Sequence, residues 1–426
     1  MSDSRRVIFR RDIAQSIGSS GVCFAITLVT TPLMTRIFPA EAYGVNGMVM
    51  TAATLLSAFG LFGLPVALAR EQAGPEQARL VQASVQLALI LGVICALGVG
   101  AVLLLVRGVP PGLTGAVAWM FPLLVLAHAA QRIADSLFTA RGLFPPLALG
   151  RIANAAATRG LTLGLGWLVH SGAAMMMLGD VVGKVVHLTV VARAGGLRPI
   201  LHRVRWLPEG TSLRTALRDY RDFALHSNIA AVLPMVTGLG LQVLISIQLG
   251  TAATGQYVLA QSILSLPVSL IAMASAPVVF HRLVRVASET PNHLIALALQ
   301  VMLGYVLLGV VLMLPIALFG PALFAFVFGE PWRPAGAAAA LLCLPQVLTF
   351  SLTALLSTFR ITRRIKAWLG FELAGTALVL GGLFLIPATS DLAETAGHLA
   401  ILMFCYQVLM HAGCLWAARP HGEQKP

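Results

Sequence analysis

Apolar runs long enough to cross a bilayer recur along nearly the whole chain, and that feature leaves few folds open. A spanning helix needs about 20 mostly apolar residues, because the hydrocarbon offers no water to satisfy a bare backbone. Runs broken by charge, Pro or Gly clusters fall near residues 15–37, 44–69, 80–106, 114–140, 143–169, 172–194, 223–249, 253–280, 294–319, 334–359, 365–387 and 393–418. A short apolar piece at 321–329 either extends the ninth run or lies at the interface. Composition agrees: of 426 residues, 58% are hydrophobic and 11% charged, against about a quarter charged in soluble domains. No room is left for a sizeable aqueous domain. A soluble enzyme, a disordered chain and a nucleic-acid-binding domain are excluded in spite of a net charge of +13.

Loop charge tests the count, because one missed span would scramble its alternation. With the N-terminus in the cytoplasm, 22 of the 29 basic residues fall in inner segments. Only Arg36, Arg107 and Arg333 fall outside; Arg132, Arg151, Arg159 and Lys184 fall within spans. Twelve spans with both ends cytoplasmic follow, and the first has no cleavage site that would mark it as a removed signal. Most of the +13 is therefore an orientation signal that also meets anionic headgroups. The five cysteines (Cys23, Cys95, Cys343, Cys405 and Cys414) are too scattered for a disulfide framework or a metal site.

The expected organisation is a six-helix bundle at 1–194, a basic cytoplasmic linker at 195–222, and a second six-helix bundle with a short tail at 223–426. In the linker, Leu213, Leu217 and Tyr220 share a helical face beside Arg214, Arg218 and Arg221. That pattern fits an interfacial helix or a solvated one. Weak echoes between the halves (Ser16 and Ser227, Gly44 and Gly255, Pro65 and Pro277, Arg70 and Arg282) favour a parallel duplication.

Three stretches carry a family resemblance. The first is Thr31-Pro-Leu-Met-Thr-Arg-Ile-Phe-Pro-Ala-Glu-Ala-Tyr-Gly, with Gly60-Leu-Phe-Gly-Leu-Pro and Ala69-Arg-Glu beyond it. The second is Tyr220-Arg-Asp-Phe-Ala-Leu-His-Ser-Asn, leading to Leu249-Gly-Thr-Ala-Ala-Thr-Gly-Gln-Tyr and Leu266-Pro. The third is Val327-Phe-Gly-Glu-Pro-Trp-Arg-Pro-Ala-Gly, before a span containing Pro345. In this order and topology they resemble the Wzx-type polysaccharide biosynthesis proteins. These are lipid-linked oligosaccharide flippases of the multidrug/oligosaccharidyl-lipid/polysaccharide (MOP) exporter superfamily. The resemblance implies an all-α membrane protein of about twelve helices in two six-helix bundles around a central cavity. It implies movement of an undecaprenyl-pyrophosphate-linked oligosaccharide across the bacterial inner membrane by alternating access, for surface polysaccharide or lipopolysaccharide. It implies no catalysis and no cofactor. Its partners would be that substrate, membrane lipids and other polysaccharide-assembly proteins.

Charges inside the spans supply the candidate site, since an ionisable group there faces the bundle interior and finds a partner. His128, Arg132, Asp135 and Thr139 form one stripe on span four; Arg151, Asn154, Thr158 and Thr162, with Arg159 beside them, mark span five. Asp180, Lys184 and His187 mark span six. Three consecutive stripes should converge. Depth along the helices, at about 1.5 Å per residue, puts Arg151 near Asp135 and Arg159 near Asp180. Arg132 and Lys184 are then surplus cation, suited to a pyrophosphate. The plainer alternative is self-neutralising pairs, but four cations against two acids leave +2.

Arg36 fits either a headgroup contact or an interfacial anchor. Glu372 fits either cation coupling or a neutral, hydrogen-bonded carboxyl. Gln407, His411, His226 and Asn228 read as helix-to-helix hydrogen bonders. Pro32, Pro65, Pro122, Pro234, Pro267, Pro277, Pro315 and Pro345 should kink spans. Gly92, Ala96 and Gly100, and Gly160 with Gly164, offer small faces for close packing. No Walker A motif is present, and no long outer loop carries paired carboxylates or a His cluster. A drug or metabolite exporter of the same superfamily remains the alternative, ahead of a membrane polymerase or glycosyltransferase.

Overall fold

A computed structural model describes residues 3–69, 71, 74–105, 115–169, 172–195, 210–385 and 391–419. Among these residues there is no strand. The helices, in chain order, are α1 (Asp3–Ile37), α2 (Ala40–Gly60), α3 (Leu64–Leu68), α4 (Pro75–Leu105), α5 (Ala116–Ala140), α6 (Phe144–Leu168) and α7 (Ala173–Gly195). They continue with α8 (Gly210–Asp219), α9 (Arg221–Glu289), α10 (Leu294–Phe328), α11 (Arg333–Leu355), α12 (Ser357–Ile361), α13 (Ile365–Leu385) and α14 (Leu392–Ala417).

Among the described residues, ten stretches are long and apolar enough to cross a membrane. One of them, Asn228–Ile271, is two rods. Gly250, with φ 84° and ψ 173°, breaks α9 there, a backbone conformation open only to a residue without a Cβ. A further rod, α6, is 25 residues long but more polar than these ten, because Arg151, Asn154 and Arg159 lower its hydropathy. The protein is a multi-pass membrane protein, with twelve long rods among the described residues. The piece at 321–329 belongs to α10, which runs on to Phe328 through Pro315 and Pro321.

Starts and stops follow local chemistry. Prolines open α3, α6 and α11, at positions where a missing N–H removes no helical bond. Pro65 is therefore no kink: span two ends at Gly60. The chain then turns through Phe62 (φ 47°) and Gly63 (φ 72°), and Pro65 begins a new short helix. Asp391 caps α14, its carboxylate accepting from the Ala393 N–H at 3.2 Å.

The α5–α6 and α12–α13 turns close alike. Gly142 N–H donates to Thr139 O (3.0 Å) and Leu143 N–H to Phe138 O (2.9 Å). Arg363 N–H donates to Arg360 O (3.3 Å) and Arg364 N–H to Phe359 O (2.9 Å). The left-handed place in the turn holds Gly142 in one half and Arg363 in the other. Both turns use the left-handed cap that ends many helices, at corresponding places between spans four and five and spans ten and eleven.

Two compact units divide the chain at Met1–Val232 and Leu233–Pro426. The boundary lies inside α9, after the linker rather than before it. Helix α8 packs on the first unit: Ala216 is fully buried in a core made by Leu61, Leu64, Leu68, Leu80, Ile133 and Phe138, and Leu213, Leu217 and Tyr220 lean on that core. The apolar face expected at the membrane interface is thus spent on protein. The reason is local, since α3, α4 and the end of α5 leave an apolar surface that an amphipathic helix covers. Polar bonds fix its end. Arg79 pairs with Asp219 at 2.8 Å and with Glu76 at 3.2 Å, and Tyr220 donates its hydroxyl to Glu71 at 3.0 Å. Arg141 holds Gln77 Oε1 through Nε and Nη2, at 3.0 and 2.9 Å. Burial, together with the Glu71 carboxylate, pushes the Tyr220 hydroxyl up to about 12. The linker from 196 to 209 and the side chains of Arg221 and His226 lie outside the described residues.

Candidate functional site

The candidate site is built from α5, α6 and α7 of the first unit, with α1 and α2 against them. What brings α6 and α7 together is a pair of glycines. A Cβ on Gly179 would run into Thr162 Oγ1, and one on Gly183 into Thr158 Oγ1 and Asn154 Oδ1. The Gly179-Asp-Val-Val-Gly183 face therefore lets the two backbones approach closely. Gly160 and Gly164, the expected packing face, have nothing within 4 Å. Gly92 does meet a neighbour, Leu126. The Asn154, Thr158 and Thr162 stripe consequently points into the α6–α7 contact, not into an open polar space.

This contact sets the charges. Asp135 on α5 accepts from His187 Nε2 of α7 at 2.9 Å and lies 3.8 Å from Arg151 Nη2 of α6. The Arg151–Asp135 pair expected from depth is present, and His187, fully buried, is the partner that sequence reasoning missed. The signal existed: His187 lies two turns beyond Asp180, toward the same end as Asp135. One carboxylate thus ties three helices together.

Asp180 and Lys184 follow one another on α7, with Lys184 only 6% exposed. Both Lys184 and Arg159 lie close enough to act on Asp180 electrostatically. The expected Arg159–Asp180 ion pair is not closed; the Arg159 guanidinium reaches α1, with Nη1 2.8 Å from Met34 Sδ. Arg159 also acts on the buried Tyr43 of α2. Neither Met34 nor Tyr43 was legible as a neighbour, because nothing in a sequence says which helix packs across from α6.

His128 donates Nδ1–H to the Leu124 carbonyl at 2.8 Å, and both Arg132 and Lys184 act on it electrostatically. Arg132 is half-buried and forms no ion pair among the described residues. The three stripes do converge, through His128, Arg132, Asp135, Arg151, Arg159, Asp180, Lys184 and His187.

The remaining candidates stand apart. Arg36 is exposed in the last turn of α1, where a cation suits the negative end of a helix. Glu372 belongs to the second unit and is 1% exposed. It accepts from Trp368 Nε1 at 3.1 Å and from the Tyr406 hydroxyl at 2.7 Å, one donor on each oxygen. His411 donates Nδ1–H to Gln407 O at 2.7 Å and meets Ser351 Oγ at 2.5 Å, while Gln407 Nε2 donates to Thr349 Oγ1 at 2.7 Å. Asn228 Nδ2 donates to Ala58 O at 3.3 Å. The bonds Glu372–Tyr406, His411–Ser351, Gln407–Thr349 and Asn228–Ala58 join different helices, as expected of Gln407, His411 and Asn228.

Solved structures share this fold. A multidrug resistance MATE family transporter of the MOP superfamily, in its inward-facing conformation, is similar with a TM-score of 0.67 and 17% identity, over 95% of this chain and 93% of that one. A structure described as the outward-facing conformation of a multidrug resistance MATE family transporter gives 0.57 and 16%, over 95% and 94%. A MOP superfamily transporter from Pyrococcus furiosus, described as having a binding pocket of reverse polarity, gives 0.60 and 16%, over 95% and 94%. At such identities the likeness establishes the fold alone. No curated protein sequence matches the chain. The profile described as polysaccharide biosynthesis protein matches residues 9–287, well over half the length, so the chain belongs to the polysaccharide biosynthesis protein family.

Proposed function

We propose that this protein is a flippase moving an undecaprenyl-pyrophosphate-linked oligosaccharide from the cytoplasmic to the outer leaflet of the bacterial inner membrane, by alternating access. Both termini are cytoplasmic in this reading, and the product feeds surface polysaccharide or lipopolysaccharide assembly. One observation carries it. Apart from Arg193, exposed in the last turn of α7, helices α5 to α7 hold four cations (Arg132, Arg151, Arg159 and Lys184) against two carboxylates, and Asp135 is already engaged by Arg151 and His187. Arg132 is the least compensated of the four, and a diphosphate supplies the missing negative charge. Guanidinium forks match phosphate oxygens through paired hydrogen bonds.

In this scheme Arg132 and Arg159 grip the diphosphate, with Lys184 and Arg151 beside them. Asp135 and Asp180 hold those cations in place when no substrate is bound. Arg36 meets the headgroup at the outer end. Glu372 is a hydrogen-bond hub between α13 and α14, and an ion gradient or the membrane potential drives the cycle.

The test is complementation of a flippase-deficient strain, paired with a radiolabelled lipid-linked sugar that must cross with its mass unchanged. Arg132→Ala is expected to lower export at least tenfold at wild-type expression, with Arg132→Lys keeping part of it. Full export by Arg132→Ala, Arg151→Ala and Arg159→Ala alike would overturn the reading.

A further inference from the structure

The α5–α6 and α12–α13 turns differ in what surrounds their cations. Around the first unit's turn, Arg79 pairs with Glu76 and Asp219, and Arg141 with Gln77. In the second unit the matching turn carries Arg360, Arg363, Arg364 and Lys366, with Arg419 arriving beside it at the end of α14. No acid occurs in the sequence between Glu330 and Glu372. Among the described residues, Arg360, Arg363, Lys366 and Arg419 form no ion pair, and all four are exposed.

Indole rings floor this patch. Arg360 sits over the Trp368 ring, 5.5 Å from its centroid, and Arg364 over the Trp416 ring at 4.3 Å. Arg364 Nη1 also donates to the Trp416 carbonyl at 2.8 Å. Trp416 is itself partly open to the surroundings, and about two turns into α13 the exposed Leu373 continues an apolar surface. Arg363 adds a second peculiarity. It occupies a left-handed conformation, φ 57°, that disfavours any residue with a Cβ, and the same place in the first unit is glycine. The fold does not need an arginine there.

We propose that this turn is a binding site for an anionic glycerophospholipid. The guanidinium and ammonium groups take the headgroup phosphate, the exposed Trp416 sits at headgroup level while the buried Trp368 only backs Arg360, and the acyl chains lie along the apolar surface of α13. Free phosphate shares the headgroup chemistry but gains nothing from Leu373 or the Trp416 ring, so the site takes lipid. Orientation signals alone require cations but no strained arginine and no stacked rings.

The test uses the purified full-length protein in detergent, titrated with phosphatidylglycerol, phosphatidylcholine or inorganic phosphate and read by native mass spectrometry and thermal unfolding. Each cation near an anionic surface changes affinity about fivefold. Arg363→Gly should therefore weaken phosphatidylglycerol binding about fivefold while unfolding no earlier than wild type in phosphatidylcholine, since glycine relaxes the turn. Arg360→Gln with Arg363→Gly and Lys366→Gln should weaken it on the order of a hundredfold. The proposal is overturned if the triple variant binds phosphatidylglycerol as wild type does. It also falls if wild type shows no preference for phosphatidylglycerol over phosphatidylcholine, or responds equally to inorganic phosphate. None of these outcomes depends on which face of the membrane the turn occupies, or on what the first unit carries.

Discussion

At the scale of single residues, Asp135 matters most to the site. Its carboxylate serves an arginine from α6 and a histidine from α7, and both bonds span helices. Asp135→Asn keeps an acceptor for His187 but abandons Arg151. Because Asp135 and Arg151 are partly exposed, the loss should be modest, about 1 kcal/mol of stability. His187→Ala empties a fully buried site and should cost more, about 2–3 kcal/mol. The two changes together should fall short of additive by at least about 0.5 kcal/mol. Unfolding of the four proteins in detergent gives the cycle, and strict additivity would deny that the histidine and carboxylate act as a pair.

Helices meet through the smallest residues on their faces, and here the ranking of glycines is open to test. Gly183→Val should misfold or unfold early, because Thr158 and Asn154 already occupy the space and overpacking costs about 1–3 kcal/mol. Gly160→Ala should be neutral or stabilising by about 0.5–1 kcal/mol, since nothing lies within 4 Å. Equal yields of Gly160→Val and Gly183→Val would count against the α6–α7 contact. For α8, packing outweighs charge. The Arg79–Asp219 pair is half-exposed, so Asp219→Ala should cost under about 1 kcal/mol. Leu217→Ala, which strips the face laid on the core, should cost about 1–3 kcal/mol. The Tyr220–Glu71 bond has a pH signature. Its tyrosine is raised above the ordinary value, so its contribution is complete below pH 10 and lost as pH rises through about 12. Tyr220→Phe should remove that alkaline loss, seen as unfolding temperature against pH.

On the scale of the whole molecule, α8 belongs to the unit of residues 1–232. Amides of 213–219 should then exchange as slowly as those of α3, and exchange at the rate of an open linker would refute the docking. Much of this architecture was legible beforehand. The twelve rods follow from the length of apolar runs, and even α6, despite its polarity, was visible because its charges recur at helical spacing. Where neighbours decide, the reading strayed. Gly160 and Gly164 look the same in sequence as Gly179 and Gly183, and only packing separates them. Depth places Arg159 near Asp180, and it does lie close enough to act on that carboxylate; but depth along a helix says nothing of rotation about it, and the guanidinium's hydrogen bond goes to Met34 of α1. The amphipathic face of α8 is equally suited to lipid headgroups or to protein; an apolar surface left by α3 and α4 took it.

The sequence by itself determined what the bilayer demands of any chain: helices, their number, and a sum of charges within them that does not cancel. Those are properties of segments, and a segment carries its own hydropathy and periodicity wherever it packs. Only the tertiary structure decided which cation each carboxylate holds, which glycines touch, and that the arginines of the α12–α13 turn rest on tryptophan rather than on acid. Such facts depend on rotation and approach between helices, to a few ångströms, and no property of one segment contains them.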